Sequence, residues 1–230
     1  MKSLQFKSMV ALALTCVLQL PASADVLIFG GTRGVGLETV RQLREAGEGV
    51  TVMVRKTSDL TALNAIEGVK TTVGDALDMD SVTAAFASGQ FDAAVSTLGG
   101  LPGNAAVDST GNINAIDAAQ AAGVPRFILV TSIGAGDSRA AAPAAMKKVL
   151  GEVIAGKEQA ERRLIDSDLS WTIIRPGLLT NKPASGNGIL TQNTSDVGLI
   201  PRAEVARLIV QALGNGATFK HVFSALEKKP

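Results

Sequence analysis

"DVLIFGGTRGVGLETVRQLREAG", Asp25 to Gly47, decides how the rest of the chain is read. Val26–Phe29 is a short apolar run, as in a buried strand. A glycine-rich turn follows, and then a segment that reads as helix over Val35–Ala46. Gly30, Gly34 and Gly36 stand in a G-x-x-x-G-x-G spacing, with Gly31 and Gly34 as an overlapping G-x-x-G and Thr32, Arg33 and Val35 between them. Glycines here let the backbone turn tightly and approach a pyrophosphate, and the helix N-terminus offers free N–H groups and a positive dipole to it. Residues 30–36 are therefore expected to cradle a dinucleotide.

The second apolar run, Val50–Val54, shows which one. A site for NAD expects an acid about 20 residues beyond the glycines, bonding the ribose 2′-hydroxyl. The run ends instead in Arg55-Lys56. Two cations suit a 2′-phosphate, guanidinium being the better fork, and Arg33 is placed to join them. NADP(H) is the expected cofactor. After the third run, "GDALD" puts Asp75 and Ala76 where a carboxylate could accept from the adenine amino group. After the fourth, "STLGG" puts Leu98, Gly99 and Gly100 where the backbone must pass close to the cofactor.

Beyond residue 25, apolar runs alternate with helical stretches. Strands are expected at Val26–Phe29, Val50–Val54, Val69–Val73, Phe91–Thr97, Arg126–Ser132, Trp171–Arg175 and His221–Ala225, with helices at Val35–Ala46, Asp80–Ala87, Asn112–Ala122 and Met146–Ser167. Strands apolar on both faces and separated by helices predict a single α/β domain, a Rossmann-type, doubly wound, mostly parallel sheet of about seven strands. Residues 134–145 and 181–200 resist the pattern. Both leave carboxyl ends of strands, where ligands bind, and are expected as irregular substrate loops.

Composition narrows the function classes. The chain has 22 Lys and Arg against 21 Asp and Glu, which leaves no electrostatic footprint for nucleic acid or an anionic membrane. His221 is the single histidine, for which a structural role is expected, and Cys16 the single cysteine, so a metal centre is improbable. The expected partner is a small-molecule substrate. Nothing singles out its identity or an oligomeric state.

Residues 1–24 have the three parts of a signal peptide. Lys2 and Lys7 form a basic start, Ser8–Leu20 an apolar stretch too short for a stable membrane span, and Pro21 precedes the A-x-A site Ala22-Ser23-Ala24. Export with cleavage after Ala24 is the expectation. An uncleaved hydrophobic tail on a cytoplasmic protein is the alternative.

"FGGTRGVG", "VMVRK", "VGDALD", "VDSTGNINAIDAAQAAGVPRFILVTS", "GKEQAERRL", "LSWTIIRPG" and "PRAEVARLI" resemble the short-chain dehydrogenase/reductase superfamily, in its atypical, NmrA-like and biliverdin-reductase-B-like branch. The resemblance covers nearly all of residues 25–230. Ordinary members use a Tyr-x-x-x-Lys pair with an upstream Ser and an Asn. By resemblance Ser132 matches the Ser, Lys157 the Lys, and Asp108 falls at the Asn. Asp108 is equally well read as a helix cap. Pro176, in the "RPG" of Arg175–Gly177, turns the chain into the substrate loop beside the cofactor. Val153 occupies the Tyr position, and the chain contains no tyrosine. The resemblance thus implies an NADPH-dependent oxidoreductase without the usual proton donor, passing hydride to a flavin, quinone or similar acceptor. A non-catalytic NADP-binding scaffold or redox sensor is the alternative.

Overall fold

The computed structural model describes residues 24–100 and 103–228, so the expected signal segment, Ala24 apart, lies outside the described residues. The chain runs β1 (Asp25–Phe29), α1 (Gly34–Glu45), β2 (Gly49–Val54), α2 (Thr61–Asn64), β3 (Val69–Val73), α3 (Met79–Ala87) and β4 (Ala93–Ser96). A π-helical turn (Val107–Gly111) then leads into α4 (Asn112–Ala121) and β5 (Arg126–Val130). A 3-10 turn (Gly136–Ala140) precedes α5 (Ala144–Ile165), β6 (Ser170–Pro176), β7 (Leu178–Thr180), β8 (Gly188–Thr191), β9 (Leu199–Pro201), α6 (Arg202–Leu213) and β10 (His221–Glu227).

The main sheet has eight strands in the order β3-β2-β1-β4-β5-β6-β10-β8. All neighbours are parallel except β8, which pairs antiparallel with β10. Alternate side chains of the central strands feed two separate cores. Val26 and Ile28 pack with Val40, Val205 and Ile209 on the side of α1 and α6. Leu27 and Phe29 pack with Val82, Ile116 and Leu164 on the side of α3, α4 and α5. Both faces are covered, which is why the parallel strands read as unbroken apolar runs. The strand order reverses between β1 and β4, so a crevice opens at their carboxyl ends.

The seven parallel strands lie at the seven expected runs, with ends shifted by a few residues. The segment 181–200 differs from expectation: it holds β8 and part of β9 rather than being irregular throughout. The 134–145 segment contains the 3-10 turn, and α5 begins at Ala144, ahead of the expected Met146.

At the opposite end of the sheet, Arg126 caps α6, donating to the carbonyls of Ala212 at 2.9 Å and Leu213 at 3.3 Å and lying 4.4 Å from the Phe219 ring centroid. Burial pushes this guanidinium down to about 10, so it stays charged at neutral pH. Trp171 is buried on β6 with the Lys220 ammonium 5.8 Å from its ring centroid, and its indole N–H has no partner among the described residues. Among the described residues no helix is long and apolar enough to cross a membrane.

Candidate active site

The glycine turn sits at the β1/β4 crevice. Gly30 and Gly34 have φ of 82° and 59°, the left-handed region that favours glycine. A Cβ on Gly36 would stand 2.2 Å from the Gly30 carbonyl oxygen, and one on Gly30 2.8 Å from Thr97 Oγ1. A Cβ on Gly31 would meet Val52 at 2.7 Å. The turn is thus as close to its own neighbours as backbone can come. The Thr97 hydroxyl, 3.1 Å from the Phe29 carbonyl oxygen and 3.2 Å from that of Gly30, locks it to the end of β4. Thr32 is half-buried and Arg33 is exposed in extended conformation, immediately before the first residue of α1, while Val35 is buried.

Arg55 and Lys56 stand exposed just past β2, in a tight turn where Ser58 Oγ accepts from the Arg55 N–H at 3.1 Å. Asp75 is exposed past β3, and one of its oxygens accepts from the Leu77 N–H at 3.0 Å. Ala76 is buried beside it, its carbonyl held by Asn114 Nδ2 at 2.9 Å. A glycine cradle in which Gly30, Gly31 and Gly36 leave no room for a Cβ, opening on a helix N-terminus, with cations past the second strand that have no ion-pair partner among the described residues, fits a dinucleotide carrying a 2′-phosphate.

A buried polar knot lies beyond β4. Asp108 is fully buried on the π-helical turn, its Oδ1 2.9 Å from Lys157 Nζ and its Oδ2 accepting from the Gly100 N–H at 2.8 Å. Lys157, on α5, also donates to the Leu98 carbonyl at 3.2 Å. A Cβ on Gly99 would stand 3.4 Å from that ammonium. Asp108 therefore does not cap a helix: its carboxylate is committed to Lys157 and Gly100, and the capping alternative is corrected on that ground. Asn112 backs the knot, accepting from Ser96 Oγ at 2.5 Å and donating to the Asp108 carbonyl at 3.0 Å.

Ser132 is half-buried past the end of β5, and Pro176 is the buried last residue of β6. Their segments stay joined, since the Ile133 N–H donates to the Pro176 carbonyl at 3.2 Å. Val153 is buried on α5, one turn before Lys157. His221 opens β10 on the surface, Nδ1 2.7 Å from the Phe219 carbonyl oxygen, far along the chain from these residues and outside their hydrogen-bond network.

The segment 181–200 is anchored by a residue not anticipated from the sequence. The buried carboxylate of Glu204, on α6, accepts from the N–H groups of Gly188 at 2.6 Å and Gly186 at 3.1 Å and pairs with Arg207. Burial acts to raise its pKa, but the Arg207 hydrogen bond and the two backbone donors outweigh that and hold it below the ordinary Glu value. A folded value below the unfolded one contributes stability that is full above the unfolded pKa and lost as pH falls through the folded one. Hydrogen exchange at the Gly186 and Gly188 amides, corrected for intrinsic rate, should therefore accelerate below about pH 4. Glu204→Gln should remove most of that pH dependence.

With fold and site in place, the chain belongs to the NAD(P)H-binding family, whose sequence pattern matches residues 30–216. It is an α/β protein of the atypical short-chain dehydrogenase/reductase type, and its cofactor is a nicotinamide dinucleotide, NAD(P)H. Among solved structures it is similar to ChuY, an anaerobilin reductase from Escherichia coli, at 34% identity and a TM-score of 0.79, over 90% of this chain and 99% of that one. A chloroplastic protein of Arabidopsis thaliana is 31% identical over 208 residues, 82% of this chain and 71% of the relative. An NAD(P)H azoreductase of Xenophilus azovorans is 29% identical over 196 residues, 82% of this chain and 63% of the relative. The family is one of NAD(P)H-dependent reductases.

Proposed function

We propose that this protein is an NADPH-dependent reductase acting on extended conjugated acceptors, such as flavins, quinones or linear tetrapyrroles, that collect their proton from water. The observation carrying this reading is on α5. The position one turn before Lys157 is the buried, inert Val153, while Lys157 keeps its ammonium on Asp108 and Leu98. A general acid typically contributes about 10²–10⁴-fold, and reduction of an isolated carbonyl would forgo that. An acceptor that spreads the incoming charge over a conjugated system needs no such donor. The names of two similar proteins, an anaerobilin reductase and an azoreductase, point to the same kind of molecule.

Residues 30–36 would hold the pyrophosphate, Arg33, Arg55 and Lys56 the 2′-phosphate, Asp75 the adenine edge, and Gly99, Gly100 and Lys157 the nicotinamide ribose. Bound NADPH would supply the hydride. The chain's own contribution is to orient the acceptor between the segments following Ser132 and Pro176 and to shield that space from solvent. Export remains part of the reading. It rests on the A-x-A site ending at Ala24, directly before β1.

Steady-state NADPH oxidation with a flavin, a quinone, a linear tetrapyrrole and a simple ketone is the test. Turnover with one or more of the conjugated acceptors and almost none with the ketone is expected. Rapid ketone reduction would refute the mechanism, and no oxidation with any acceptor would favour the NADP-binding scaffold or redox sensor.

A further inference from the structure

α6 begins with a cation where an anion belongs. Arg202 is its first residue, at the positive end of the helix dipole, where basic side chains are disfavoured. Among the described residues no carboxylate pairs with it. The acid of that turn, Glu204, is turned away to Gly186, Gly188 and Arg207. The side-chain partner of Arg202 is the neutral Asn181, whose Oδ1 accepts from Nη1 at 2.7 Å.

The guanidinium stem leans over the glycine turn. A Cβ on Gly34 would stand 3.7 Å from Arg202 Nε and 3.9 Å from its Cδ. α1 and α6 pack side by side on one face of the sheet, and Gly34 and Arg202 are their first residues. The pyrophosphate expected above the N-terminus of α1 would therefore meet Arg202, and the misplaced charge would gain its counter-ion. Asn181 opens the 181–200 segment, whose farther part is held on the same helix by Glu204.

We infer that Arg202 is a ligand of the NADP(H) pyrophosphate from the α6 side, and that its bond to Asn181 makes the 181–200 wall respond to nucleotide occupancy. The inference rests on the NADP(H) assignment. The nucleotide draws the guanidinium onto the phosphates, the guanidinium fixes Asn181, and the wall closes on an already loaded cofactor. Reduced and oxidised nucleotide carry the same pyrophosphate, so the coupling is indifferent to redox state.

Calorimetric titration of the full chain with NADP+ and with adenosine 2′-monophosphate, which lacks the pyrophosphate, tests it. Arg202→Gln should weaken NADP+ by about tenfold or more, the cost of one charge-assisted bond, and leave the monophosphate unchanged. Arg202→Lys should restore part of the loss. In the wild type, NADP+ should slow hydrogen exchange at Gly186 and Gly188. Asn181→Ala should abolish that protection with little change in affinity. Equal NADP+ binding by Arg202→Gln and wild type, or equal weakening of both ligands, would overturn the inference. Wild-type chain that takes up the monophosphate but not NADP+ would overturn instead the cofactor assignment beneath it.

Discussion

Replacing Gly36 with alanine should reduce NADP(H) affinity by about a hundredfold while leaving a cooperatively folding protein. The new Cβ would lie 2.2 Å from the Gly30 carbonyl oxygen and 2.5 Å from Thr97 Oγ1. The first neighbour is backbone, so no rotamer change relieves it. Turn and helix must part by about an ångström to reach ordinary van der Waals contact. That displacement moves the N–H groups that would face the pyrophosphate, and misplacement on this scale costs about 10²-fold. Gly151→Ala is the matched control. A Cβ there meets nothing within 4 Å, on the exposed side of α5. Calorimetry on the pair should show the loss in the first variant alone. Equal affinities would mean that the turn does not hold the nucleotide.

Glu161→Leu should be the most destabilising single change in the interior around the site, at about 3–5 kcal/mol, the usual cost of stripping one partner from a buried ion pair. Glu161 and Arg175 are 2% and 3% exposed. Arg175 donates to both carboxylate oxygens, at 2.9 and 2.7 Å, and the Thr131 hydroxyl donates to Oε1 at 2.6 Å. Arg175 reaches onward to Asp137 in the 3-10 turn. Burial acts to lower its pKa, but Glu161 and Asp137 raise it above its ordinary value, so the guanidinium keeps its charge. The melting temperature should fall by on the order of 10 °C. Glu161→Leu combined with Arg175→Met should regain most of this, because the orphaned charge is then gone. A double variant no better than the single would show that the loss came from packing. Glu161 lies one turn beyond Lys157 on α5, and Arg175 immediately precedes Pro176, so the pair also holds two candidate site residues in register.

The parallel core was legible because burial on both faces writes strands as plain apolar runs. Val50–Val54 and Val26–Phe29 could hardly be read otherwise. The edge strand β8 was not legible. Its residues sit in a Gly-, Asn-, Ser- and Thr-rich stretch, and it exists through pairing with β10, more than thirty residues away, and the grip of Glu204. No local pattern encodes either. The glycine turn was readable from spacing alone. The commitment of Asp108 was not, since a short acid before a helix suits a cap as well as an ion pair. Arg202 had a signal that went unused: a cation in the first turn of "PRAEVARLI" runs against the dipole, and such a residue asks what anion it faces.

Trp171 gives the molecule an unusual optical simplicity. The sequence has one tryptophan and no tyrosine, so ultraviolet emission excited in the indole band comes from a single position. That position lies on β6 in the core beneath α5, near the end of the sheet remote from the glycine turn. Its emission will follow the loosening of that core during unfolding. Reduced nicotinamide, emitting at longer wavelength, will follow events at the other end. Two colours therefore separate the melting of the scaffold from the departure of the nucleotide, without a label on either.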